Sequence, residues 1–136
     1  MEQYFPASAP TSGDFSELSD AITKMGNVTR LHNGLTTTST NNSLSENYTN
    51  FTWLYVVMQT NSELETMWIY VPSIDATKSY FRNVSLFNGT GQISDYSYKT
   101  SCAVKFHDSN KFDVACAYNN VNLQLRLLSI YGVGKA

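Results

Sequence analysis

Apolar and polar positions alternate along most of the chain beyond residue 27. The alternation is sharpest over residues 101–134, SCAVKFHDSNKFDVACAYNNVNLQLRLLSIYGVG. Cys102, Val104 and Phe106 alternate, then Phe112, Val114, Cys116 and Tyr118, then Val121, Leu123, Leu125 and Leu127. A period of two marks strands with one buried face. Asp108-Ser109-Asn110 suits a tight turn, and Asn119-Asn120 suits a two-residue primed turn. Folding both hairpins with the apolar residues on one face sets Phe106 opposite Phe112 and then Leu127. Val104 falls opposite Val114 and Leu125, and Cys102 opposite Cys116 and Leu123. The pattern predicts a three-stranded antiparallel meander. Its register is specified, because a slip of one residue would turn an apolar set outward.

The rest of the chain divides by the same reading. Residues 1–13, with Pro6, Pro10 and Gly13, read as a linker or N-terminal arm. Residues 14–26 read as a short helix, with Asp14 and Glu17 spaced as a capping box and Gly26 placed to end it. Phe15, Leu18, Ile22 and Met25 follow the spacing of a coiled-coil seam, so this helix is a candidate trimeric stalk. Residues 27–136 read as one β-rich head domain. A short strand at 27–35 precedes a polar stretch, TTTSTNNS, expected as an exposed loop. FTWLYVVMQ is apolar on both faces: Phe51, Trp53, Tyr55 and Val57 on one, Leu54, Val56 and Met58 on the other. Such a strand must be covered twice. Further strands are expected at 64–71, stopped by Pro72, at 79–87, and at 93–100 leading into the meander. The fold class is therefore all-β, an antiparallel β-sandwich or jelly-roll-like domain with a short N-terminal α-helix.

Composition narrows the function classes. The chain has 136 residues, a net charge of −2, and only 15% charged residues. There is no basic block for nucleic acid, and no apolar run long enough for a membrane helix. The first residues carry neither the positive nor the apolar region of a signal peptide. Six Asn-X-Ser/Thr sequons begin at Asn27, Asn41, Asn47, Asn50, Asn83 and Asn88, a weak excess for a chain so rich in Ser, Thr and Asn. Cys102 and Cys116 face each other in the expected register, as two buried thiols or as a cross-strand disulfide.

Catalytic chemistry is not assembled here. The chain has no GxSxG, no glycine-rich phosphate loop and no HExxH, and only His32 and His107 as histidines. No metal and no cofactor is expected, and the chain is not read as an enzyme. Aromatic residues stand out instead, at 13% of the chain. Trp68, Tyr70 and Tyr80, with Asp75, form the candidate ligand site. Aromatic faces stack on the apolar faces of sugar rings, while Asp, Asn and Ser bond to hydroxyls. The other reading of Trp68 and Tyr70, that they cover a second apolar surface or a subunit contact, fits these two residues somewhat better. The candidate loops are residues 36–43, 73–78 and 88–94.

A family resemblance gives the pattern a setting. LQLRLLSIYGVGKA is similar to the last strand of small β-rich domains at the tips of bacteriophage tail fibres and baseplate proteins. NSLSENYTNFTWLYVVM resembles their entry into a two-faced strand, MWIYVP the strand after it, and CAVKFHDSNKFDVACA their penultimate hairpin. Together these stretches fall within residues 42–136. The resemblance implies a homotrimeric receptor-binding head, held in the virion by other tail proteins and acting outside the cell. It would adsorb the virion to a host cell-surface saccharide or protein receptor. It carries over no catalytic residue and no residue-level binding motif. Two other classes fit the same pattern: a trimeric structural connector of a virion tail that binds no ligand, and a carbohydrate-binding module of a secreted protein.

Overall fold

A computed structural model of the chain describes residues 26–61, 63–87, 97–118 and 124–136. Strands β1 (Val28–Thr36), β2 (Ser39–Ser43), β3 (Phe51–Gln59), β4 (Leu64–Tyr70), β5 (Tyr80–Phe87), β6 (Ser97–Asp108), β7 (Lys111–Tyr118) and β8 (Arg126–Lys135) form two four-stranded sheets. Sheet A has the order β1-β8-β3-β4 and sheet B the order β2-β7-β6-β5, and every pairing is antiparallel. The expected helix at 14–26 and the arm before it fall almost entirely outside the described residues. Gly26, at the helix's expected end, has a left-handed φ of 97°.

The inward residues of both sheets make one core. Leu54, Val56, Met58, Leu127 and Ile130 from sheet A meet Cys102, Val104, Phe106, Phe112 and Val114 from sheet B. Period two is the cause: each strand sends alternate residues to the core and the rest outward. The β6–β7 hairpin has the register expected from sequence, with Cys102 opposite Cys116, Val104 opposite Val114 and Phe106 opposite Phe112.

Three expectations are corrected. The last strand does not continue the meander. β8 lies in sheet A between β1 and β3, while the far side of β7 is taken by β2. Leu125 and Leu127 are fully buried, as expected, but they reach the core from elsewhere. A core-facing side chain alternates in the same way whichever sheet it belongs to, so the pattern could not choose between them. The Leu125 N–H donates to the Thr100 hydroxyl at 2.8 Å, which ties the incoming chain back to β6. A register shift against β3 around Leu128 then re-phases β8, so that Ile130 faces inward and Tyr131 outward. Second, β6 runs unbroken from Ser97 to Asp108 instead of starting anew at residue 101. Third, residues 36–43 are not a free loop. Ser39–Ser43 forms an edge strand on β7, and Asn41 takes a left-handed φ of 56° at a register shift. Its N–H donates to the Asp113 carboxylate at 2.8 Å, which also contacts His107 Nε2 at 3.1 Å. Polar residues on a bulged edge leave no alternation for a sequence reading to find.

β3 is apolar on both faces, and one chain covers both. Tyr55 and Val57, 3% and 1% exposed, join Tyr131 in a second cluster on the outer face of sheet A. Val28, Leu64, Leu128 and Val133 pack against it. Phe51 departs from the alternation. The chain enters β3 from a 3-10 turn, and the Phe51 ring packs on the inner core, over Gly132. A Cβ at Gly132 would lie 2.4 Å from a Phe51 ring atom. Gly132→Ala should therefore cost about 1–3 kcal/mol, as overpacked cores do, read as a lower urea midpoint with an unchanged slope. An unchanged midpoint would mean that Phe51 is not held over this strand.

His32 supplies a pH-dependent term. Its ring lies edge-on to Phe112 with centroids 5.1 Å apart, and Nε2 is 3.0 Å from both the Gly34 carbonyl and the Thr36 hydroxyl. Burial lowers its pKa from the usual 6.5, against a smaller opposing effect of the Gly34 hydrogen bond. The unfolded chain then binds a proton at a pH where the folded chain does not. The stability His32 contributes is present above about pH 6.5 and lost as pH falls through its lowered folded value. Urea midpoints should fall across that window, and the fall should shrink in His32→Gln. An equal fall in the variant would assign the effect to other groups.

Candidate functional site

β4 is an edge of sheet A and β5 an edge of sheet B, and a cleft of about 320 Å³ lies between them. Met67, Trp68, Ile69 and Tyr70 line one wall; Ser79, Tyr80 and Phe81 line the other, with Ser73 from the connection. Four consecutive residues of β4 line it, so the cleft runs along the strand's edge and not over one face. Glu65 and Arg82 span the same two strands, with Arg82 Nη2 3.6 Å from Glu65 Oε1. Both are solvated, so the pair adds little stability.

Three of the four residues expected from sequence converge on this cleft. Trp68 and Tyr70 are 44% and 46% exposed on the outer face of β4. They belong to an aromatic group that sequence reading did not assemble. Trp68 packs on Tyr55 with ring centroids 4.6 Å apart and meets Trp53 edge-on at 6.2 Å; Trp53 also contacts Tyr70 at 5.1 Å. Trp53 itself is 40% exposed. The register Trp53–Tyr70 and Tyr55–Trp68 across β3 and β4 produces the group. Aromatic pairs at such offsets hold one another in place, so the exposed faces are fixed before any ligand arrives.

Tyr80 works differently. It lies half-buried against the core, and its hydroxyl accepts from the Asp75 N–H at 2.8 Å and donates weakly to the Ser73 carbonyl at 3.4 Å. Tyr80 thereby pins the 73–79 connection to β5. Asp75 does not line the cleft. Its carboxylate accepts from the Thr77 hydroxyl at 2.6 Å and the Thr77 N–H at 2.8 Å. These two bonds hold its pKa below the usual carboxylate range. Asp75 is a turn-forming residue whose loop borders the cleft. Residues 88–94, another candidate loop, lie outside the described residues.

Ser73, the first residue of the candidate loop 73–78, lines the cleft, as do Ser79 and Phe81, which escaped the sequence reading. Phe81 is 57% exposed and faces outward from β5, opposite in parity to Tyr80. That alternation was readable in the sequence; the meeting of β4 and β5 across two sheets was not. Chemically, the cleft offers aromatic faces, two serines and few charges. Among the described residues, no group of three or more His, Cys, Asp or Glu could hold a metal ion. No protein-family model matches the chain, and no curated protein matches it significantly.

Proposed function

We propose that this chain is a receptor-binding head of a bacteriophage tail fibre or baseplate protein. On this reading it is a jelly-roll-like β-sandwich that adsorbs the virion, as a homotrimer, to a host cell-surface saccharide. The observation that carries the reading is the cleft between β4 and β5, where Trp68, Tyr70 and Phe81 present exposed rings beside Ser73 and Ser79. Flat apolar faces beside hydroxyls suit a sugar ring, which has C–H faces and a polar rim. Each such site binds weakly, and three copies on one stalk would raise the avidity. The trimer contact is assigned to the seam Phe15, Leu18, Ile22 and Met25. The outer face of sheet A adds less than its sequence suggested, because Tyr55 and Val57 are already buried within one chain.

The test is binding of the purified chain to bacterial cells and a bacterial glycan array, with light scattering for its mass. A trimer that binds a glycan supports the reading. A monomer that binds one makes the chain a carbohydrate-binding module. A trimer that binds no cell and no glycan makes it a structural connector of the tail.

A further inference from the structure

Cys102 on β6 and Cys116 on β7 are direct register partners, and their sulfurs are 3.7 Å apart. Both are free thiols. We propose that they form a redox-active pair, which closes to an intrachain disulfide by exchange with a low-molecular-weight disulfide such as oxidised glutathione. Directly opposed residues of an antiparallel pair have Cα atoms about 4.5–5.5 Å apart, within the span a disulfide bridges. The sulfurs must close to about 2.0 Å, which side-chain rotation can supply without moving either strand.

The two thiols differ in access. Cys102 is fully buried, whereas Cys116 is half-buried near the end of β7. Cys116 is the group that ionises first. In the neutral pair it donates to Cys102; once it is a thiolate, Cys102 keeps its proton and donates back. This hydrogen bond is the main cause that lowers the Cys116 pKa, with Arg126 and the Thr38 contact helping against burial. The same bond, then burial, raises that of Cys102. The Cys116 thiolate therefore attacks one sulfur of oxidised glutathione and expels a glutathione thiolate, leaving a mixed disulfide. The Cys102 thiol then loses its proton, attacks Cys116 Sγ and expels the second glutathione. One protein dithiol and one oxidised glutathione become one protein disulfide and two reduced glutathiones.

The bond would clamp β6 to β7 at the end away from their turn, where the chain leaves sheet B. Closing a loop of about 15 residues should raise the Tm by roughly 5–10 °C. The test incubates the native protein with oxidised glutathione and follows intact mass and thermal unfolding. The expected product has lost two hydrogens, carries no glutathione, melts higher and reverts with dithiothreitol. In Cys102→Ala the exchange should stop at a stable glutathione adduct on Cys116. The proposal fails if the folded wild-type protein keeps both thiols, if it accumulates the mixed disulfide, or if the closed form melts no higher than the open one.

Discussion

Phe106→Ala should lose about 3–5 kcal/mol of unfolding free energy, the largest stability loss expected of any single truncation here. Phe106 is fully buried at the centre of the core. Its ring lies 5.3 Å from Tyr48 and 6.4 Å from its register partner Phe112. Removing it leaves a cavity among residues of both sheets, and those strands cannot collapse inward without breaking their own ladders. Domains of this size are stable by only about 5–15 kcal/mol, so the variant would stand close to unfolding. Urea titration measures the loss. Phe81→Ala is the control, because Phe81 is exposed on an edge and should cost well under about 1 kcal/mol. A Phe106 variant as stable as the Phe81 variant would show that the two sheets do not share this core.

The second large effect concerns adsorption. Under the proposed function, Trp68→Ala should weaken each site by about tenfold, which is about 1.4 kcal/mol of lost stacking. Linked sites multiply such losses, so trivalent adsorption to cells should fall by about a hundredfold or more where several sites engage together. Circular dichroism should show the fold retained, since Trp68 is 44% exposed and packs on Tyr55 from outside. Raising the salt should change binding little, because Glu65 and Arg82 already face each other beside the cleft. If Trp68→Ala and Tyr70→Ala both adsorb like the parent, the cleft is not the receptor site.

Local pairings were legible in the sequence, and the partition between sheets was not. Cys102–Cys116, Val104–Val114 and Phe106–Phe112 could be read directly, because one short turn fixes that register. The fate of Leu125 and Leu127 could not. Inward residues of sheet A and of sheet B fill the same core, and only chain tracing separates them. β2 was hidden for a different reason: STNNS has no apolar face, and its place is set by Asp113 holding the Asn41 N–H. The candidate site divides along the same line. Trp68, Tyr70 and Tyr80 were visible as aromatics beside a polar loop. That Trp53 completes an outer cluster with Trp68 and Tyr70 depends on the β3–β4 register, and that Phe81 lines the same cleft depends on two sheets meeting at an edge. Asp75 looked like a ligand acceptor because an Asp in a Ser-rich loop also looks like one when it only shapes a turn.

The position of β8 sets an order in time. Ribosomes make it after the other seven described strands, yet it sits between β1 and β3 and is hydrogen-bonded to both. Sheet B has all four of its described strands once residue 118 has been made, so its ladder can register early. Sheet A then consists of β1 standing apart and a β3–β4 hairpin, with the two-faced β3 baring one side of its backbone. Until residues 126–135 arrive, that strand is the stretch a nascent chain must shield, and joining partners so distant in sequence makes the final step slow.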